Sequence, residues 1–291
     1  MATYKVKGSQ NLYDIALHLY GTIEGLFDLL ISNPSLNMSM DLKPGMELEY
    51  HDDFIINPSI VNQFNEENIV PINGERSVYF KETDAPLRAI IKTPAELDAF
   101  YFSISGEGEL IADWGDNTPL ETISLTHTQS LIEHHFNNTV DSRRIRFYGD
   151  FSVLQLNATN MEGEMYLTAP MTVDEYVSHS NDNTLVGLFL FEDTYKVDLQ
   201  RMLIEDLKPI YSMSLSQLNL LGAKFKSIDV LDDYLVNIVE NHQNRRACEV
   251  WMDTEPTERG MQAIQTIIDE SEWNTPTKWV FHINDQTYTA E

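Results

Sequence analysis

Apolar and polar positions alternate in three different textures along this chain of 291 residues. At the N-terminus Tyr4 and Val6 alternate with polar neighbours, which predicts a strand with one buried face. Leu12, Ile15, Ala16 and Leu19 then follow helical spacing, with Asn11 placed to cap that helix and Gly21 to close it. Ile23, Leu26, Phe27 and Leu30 predict a second helix, stopped by Ser32, Asn33 and Pro34. Pro44 and Gly45 turn the chain into a strand from Met46 to Tyr50. Residues 1–50 therefore read as a compact βααβ module.

From His51 to Arg76 the chain is rich in Asn, Asp and Glu, with Pro58, Pro71 and an Asn73-Gly74 turn signal. This stretch reads as a linker with short extended pieces. Strand patterns follow at Val78 to Phe80, Leu87 to Ile91, Phe100 to Ser105, Leu110 to Asp113, Ile145 to Phe147 and Phe151 to Leu156, a spacing that predicts an antiparallel β-sandwich. After Thr184 come short apolar, strand-like runs: Leu185 to Phe191, Ile210 to Leu215, Leu218 to Leu221 and Ser227 to Val230. Leu199 to Leu207 reads as helix or loop between them. The clearest element of this part is a β-α-β ending, with a strand at Ala247 to Met252, a helix at Glu258 to Glu270 and a strand at Lys278 to Ile283. Pro256 near the first helical position, among acidic residues, marks the helix start.

Three resemblances attach to these textures. The run from Tyr4 to Ala16, with Leu19-Tyr20-Gly21, Ser32-Asn33-Pro34 and Leu42 to Leu48, resembles a LysM domain, and more narrowly the LysM-like tail protein X of contractile-tailed bacteriophages. Ile111 to Thr118, followed by His134-His135-Phe136 and Arg144 to Phe147, resembles the turn signature of PKD-like immunoglobulin-type domains. Asn117 stands there where a second Gly is usual. The segment from Leu218 to Val230 resembles irregular leucine-rich repeats, without a clean period over three copies; an α/β layer of short parallel strands is equally compatible. The expected fold class is thus α+β multidomain: a LysM-like module at 1–50, a linker at 51–76, a PKD-like sandwich at 77–160 and a C-terminal α/β or leucine-rich-repeat-like domain at 161–291.

Composition narrows the functional field. Lys and Arg number 19 against 46 Asp and Glu, a formal charge of -27 with a pI near 4.4. Such a balance argues against nonspecific contact with nucleic acid or an anionic membrane surface, where clustered cations are needed. Solubility and restraint of self-association are the plain use of this charge. With one cysteine, Cys248, flanked by Ala247 and by Val250-Trp251, the expectation is a buried strand thiol without an intramolecular disulfide. No apolar leader precedes Tyr4 and no run of about 20 apolar residues occurs, so export by the usual route and membrane insertion are not expected.

Candidate chemistry is sparse. A phosphate loop, a His-Glu-x-x-His pair, a nucleophile elbow and Cys-x-x-Cys pairs are all missing from the sequence, which disfavours an enzyme. Glu66-Glu67, Glu205-Asp206 and Asp232-Asp233 are sequence neighbours that do not share a helix face. Trp114 is expected in a core, Gly115 at a turn, and Asp113 and Asp116 as side-chain braces of that turn. A metal site built from Asp113, Asp116, His134 and His135 is the sharper alternative, but adjacent histidines on a strand point to opposite faces. Trp273 and Trp279 read as packing anchors, with a sugar-stacking platform as the alternative. No metal or cofactor is expected.

The LysM resemblance implies a ligand groove between the helices and the strand ends, drawing here on Gly8, Ser9, Gln10, Asn11 and Leu12 and on Ile31, Ser32, Asn33 and Pro34. It also implies a structural part of a phage tail or contractile injection system, near the baseplate or hub. Such a protein would be present in multiple copies, bound to other tail proteins and assembled in the host cytoplasm. The alternatives are a peptidoglycan-binding LysM protein and an intracellular leucine-rich interaction protein.

Overall fold

A computed structural model describes the chain except for residues 9, 39, 41, 73–80, 95, 138–141 and 181–184. The fold is mixed α/β, with five α-helices and one large mixed sheet among the described residues. Ser9, the Asn73-Gly74 turn signal and the Val78 to Phe80 strand lie outside those residues.

The N-terminal module closes on a two-stranded sheet, in which β1 (Ala2–Lys5) pairs antiparallel with β2 (Glu47–Tyr50), Tyr4 opposite Leu48. Helix α1 (Leu12–Tyr20) begins at a capping box: Asn11 Oδ1 accepts from the Asp14 amide while an Asp14 carboxylate oxygen accepts from the Asn11 amide, each at 2.9 Å. It ends at Gly21, whose φ of 74° suits a glycine stop. One 3₁₀ turn (Ile23–Gly25) leads into α2 (Leu26–Ser32). A Cβ on Gly25 would stand 2.2 Å from the Tyr20 ring, so only glycine lets this turn close over α1. Val6, Leu12, Ile15, Ala16, Tyr20, Leu26, Leu29, Leu36 and Leu48 form a core of their own.

The expected linker contains a third helix, α3 (Pro58–Glu66), rather than extended pieces only. Pro58 occupies the first helical turn, where its missing N–H costs nothing. The helix is docked on the module: the Ile56 and Asn57 amides donate to the Tyr20 carbonyl at 3.1 and 2.9 Å, and Phe64 stacks near His18. Its polar sequence hides it, because only Val61 is buried.

Beyond residue 80 the strands are β3 (Leu87–Thr93), β4 (Ala99–Asp113), β5 (Glu121–Ser124), β6 (Ser130–His135), β7 (Arg143–Tyr148), β8 (Phe151–Asn157) and β9 (Glu164–Leu167). The two strands expected at 100–105 and 110–113 are halves of the single strand β4. Its first half pairs with β6 and β8, and its second half with β5 and β7. The register with β8 slips between Ser105 and Gly106, and a Cβ at Gly106 would stand 2.1 Å from the Ser152 carbonyl oxygen. This glycine bulge lets one strand serve two sets of partners. Phe102 and Phe147 meet at 5.3 Å where the two sets pack together.

From β8 onward the chain builds a parallel ladder, and the sheet continues through position 160 without a break. Strands β10 (Met171–Val177), β12 (Lys196–Asp198), β14 (Gln217–Leu220), β16 (Glu249–Met252) and β17 (Val280–Ile283) each join the ladder in turn, and β18 (Gln286–Thr289) closes it antiparallel. Leu156, Tyr176, Val197, Leu218, Val250 and Phe281 stack in one buried column. Short β11 (Phe191–Glu192) pairs with β10, while β13 (Leu203–Ile204) and β15 (Lys224–Phe225) make a second parallel row. The last two ladder steps are longer because they carry α4 (Ile228–Glu240) and α5 (Glu258–Asp269). Asp232 on α4 receives the Thr257 amide at 3.1 Å and its hydroxyl, so one helix caps the next.

Three apolar runs read as strands take other forms. Val186–Leu190 and Lys208–Ile210 are 3₁₀ turns, and Ser227 caps α4. Leu185, Leu188, Ile210, Met213 and Leu215 are buried all the same. An apolar run without a period reports burial, and a buried turn satisfies it as well as a strand does. The β-α-β ending has the expected form.

Candidate functional site

The residues expected to line a groove are largely engaged in holding the module. Gln10 is buried; its Oε1 accepts from the Tyr4 hydroxyl at 3.0 Å and the Lys7 amide at 2.8 Å, and its Nε2 donates to the Pro71 carbonyl at 3.1 Å. Pro71 follows α3, so the chain beyond that helix returns to Gln10. Asn11 is the helix cap, Leu12 is in the core and Gly8 is buried. On the other side Asn33 donates to the carbonyls of Leu29 and Glu49, both at 2.8 Å, and accepts from the Glu49 amide at 2.9 Å. It therefore ends α2 and ties it to β2. Ser32 lies 3.5 Å from His51 Nδ1, while Ile31 and Pro34 are exposed. The two groups anchor to different neighbours.

A second feature of α2 is visible only in three dimensions. Leu26 and Leu29 face the core, yet Ile23, Phe27 and Ile31 stand 56, 71 and 76% exposed. Phe27 and Ile31, four residues apart on α2, share its solvent side, and with Ile23 on the preceding 3₁₀ turn they make one exposed apolar stripe. The segment after β2 runs beside the same helix. His51 Nδ1 is 2.8 Å from one Asp28 carboxylate oxygen, and the His51 amide and the Tyr20 hydroxyl donate to the other at 3.1 and 2.6 Å. Burial pushes the Asp28 carboxyl up, but these bonds outweigh it and hold the group below its ordinary range. Pinned in this way, the segment adds exposed Phe54, Ile55 and Ile56. Among the described residues, eleven of the seventeen exposed large hydrophobic side chains lie before residue 70. A short helix with apolar residues on two faces was the available sequence signal, because a core needs only one.

The turn after β4 brings charges together for a structural end. Asp113 accepts from the Gly115 amide at 3.1 Å and from Lys81 Nζ at 2.6 Å. Asp116 accepts from the amides of Thr118 and Asn137 and pairs with His134 Nε2 at 2.9 Å. Gly115 has a φ of 69°, and a Cβ there would stand 2.6 Å from the Arg144 carbonyl oxygen. His134 stacks on fully buried Trp114 at 4.5 Å, and buried Arg143 donates to the Gly115 carbonyl over the Phe136 ring. Burial raises the Asp116 carboxyl, yet the bonds from His134 and Thr118 hold it far below the usual range. Burial pulls Arg143 down to about 10, with Asp116 acting against that shift.

His135 pairs instead with Glu133 at 2.5 Å. The two histidines thus go to separate partners, and no group of three or more His, Cys, Asp or Glu is placed to hold a metal ion among the described residues. Asp233 meets Arg259 at 2.6 Å, and Asp206 accepts from the Lys208 amide. One face of Trp273 is covered by His242 at 4.0 Å, and Trp279 is buried in the core. Burial raises the Cys248 thiol well above its ordinary value. Among the described residues no single helix is long and apolar enough to cross a membrane. Compared with protein-family models, curated proteins and solved structures, the chain matches none.

Proposed function

We propose that this chain is a structural component of a bacteriophage or prophage-derived contractile tail, or of a related contractile injection system, in the baseplate or hub region. The LysM-like module docks it onto neighbouring tail proteins, and the PKD-like and leucine-rich-repeat-like parts present further contact surfaces. It sits in the virion tail in multiple copies after assembly in the host cytoplasm. The resemblance of residues 1–50 to tail protein X motivates this reading. The observation that carries it is the exposed Ile23, Phe27 and Ile31 stripe on a unit whose own core is already filled.

Mass spectrometry of purified tails tests it: the chain co-purifies at fixed stoichiometry, and Phe27→Ser lowers its incorporation at least tenfold. Complete, infectious tails after deletion of the chain would sink the proposal. The glycan-binding alternative draws on the same module, but Gln10, Asn11 and Asn33 have their polar groups engaged within the chain. Retention on purified peptidoglycan that depends on Gln10 and Asn33 would favour that alternative.

A further inference from the structure

We infer that the Ile23, Phe27 and Ile31 stripe receives a protein partner whose contact face is an apolar centre ringed by Lys and Arg side chains. This deepens the docking proposal above and rests on it. The apolar centre follows from exposure: Phe27 and Ile31 on α2 and Ile23 on the turn before it leave a surface that water solvates poorly, and the segment tied to Asp28 through His51 adds exposed Phe54, Ile55 and Ile56. A well-packed partner would gain most from the middle of that surface, where an aromatic anchor dominates binding.

The charge of the rim names the partner's other half. Glu24 lies within the stripe, and Asp52 and Asp53 flank the pinned segment; all three are exposed. No Lys or Arg occurs between Lys7 and Lys43, or between Lys43 and Arg76. Residues 1–72 carry ten carboxylates against three lysines, and one of those, Lys5, meets Asp98 of the sheet body at 2.6 Å. The face is therefore apolar at its centre and anionic at its edge, with no cation of its own from either segment. A cationic rim opposite it gives attraction on approach and ion pairs at the margin.

The same charges count against two other occupants. A second copy docking through this stripe in a two-fold contact would bring Glu24, Asp52 and Asp53 of both chains to one rim, in molecules of formal charge -27 each. An anionic lipid surface is repelled for the same reason.

Two synthetic helical peptides test the inference, sharing one Leu/Phe face but flanked by lysines in one and by glutamates in the other. Their fluorescence anisotropy is titrated against the full chain in 150 mM salt, a concentration that screens exposed charges beyond about 8 Å. The lysine-flanked peptide is expected to bind at least tenfold more tightly than the glutamate-flanked one. Phe27→Ser, and separately Ile31→Asn, each weaken it at least tenfold, and Glu24→Lys with Asp53→Lys reverses the preference. Unchanged binding of the lysine-flanked peptide to Phe27→Ser would overturn the inference, since general acidity alone would then explain attraction. Equal binding of both peptides overturns the cationic rim. Concentration-dependent dimers in sedimentation that vanish in Phe27→Ser would identify a second copy as the occupant, again against it. Loss of Phe27→Ser from tails, with no preference between the peptides, leaves the docking proposal standing and removes only the rim chemistry.

Discussion

Phe27 on α2 and Trp114 after β4 are both large aromatic residues beside an aspartate, yet one stands in solvent and the other is fully sealed. Trp114 sits in a core that runs without interruption from Ala89 to Ile283, across the antiparallel strands and the parallel ladder. Phe27 belongs to a small unit whose core closes without it. In the body, most large apolar residues are consumed by stacking one strand on the next. In the module, two helices and a two-stranded sheet are covered by nine residues, and the surplus faces outward. The difference separates apolar side chains that build the fold from those free to meet another molecule.

The sharpest way to break this comparison is to truncate the aromatic residue in each region. Trp114→Ala is expected to cost about 3–5 kcal/mol in denaturant unfolding, because it leaves a cavity and strips His134 of its stacking surface. A loss under about 1 kcal/mol would mean that the body does not rest on this turn.

Asp116→Asn sharpens the account of the same turn, with an expected loss of about 1.5–3 kcal/mol at neutral pH from its charged hydrogen bonds. The Asp116 carboxyl is held below its unfolded value of about 3.9, so its stabilisation is complete above that range and declines as pH falls through the folded value. The variant should therefore show a flatter stability profile below about pH 4. An unaltered acid limb would assign the acid sensitivity elsewhere.

Gly21→Ala probes how the module is held together. At a φ of 74° a Cβ would stand 2.3 Å from the Asn57 carbonyl oxygen, so alanine should destabilise by more than about 1 kcal/mol. Faster hydrogen exchange in α3 than in the body is the accompanying sign; uniform exchange would argue that α3 is not clamped through this contact. Phe27→Ser closes the series, with a change within about 0.5 kcal/mol in the isolated chain. A large loss of stability there would show that Phe27 belongs to the fold and would remove the contrast with Trp114.

What the sequence determined by itself were features set by a few neighbouring residues. The Asn11 helix cap, the Gly21 stop, the Asp-braced turn around Gly115 and the β-α-β ending were legible because hydrogen bonds and backbone preferences act within about four positions. The groove residues followed only from the LysM resemblance, and the partners that engage Gln10 and Asn33 were not legible at all. Pro71 and Glu49 reach them from 61 and 16 residues away. Helix α3 was hidden for a related reason: the amides of Ile56 and Asn57 dock its start on the Tyr20 carbonyl, and Val61 is its one buried residue.

Only the tertiary structure decided the rest. It merged two expected strands into β4 through a glycine bulge, and it stacked Leu156, Tyr176, Val197, Leu218, Val250 and Phe281 in register. That column has no constant period in the chain, since α4 and α5 lengthen its last two steps. It also decided which apolar face of α2 turned inward. A hydrophobic pattern states that a side chain favours burial, but the limited space inside a small core determines which side chains obtain it.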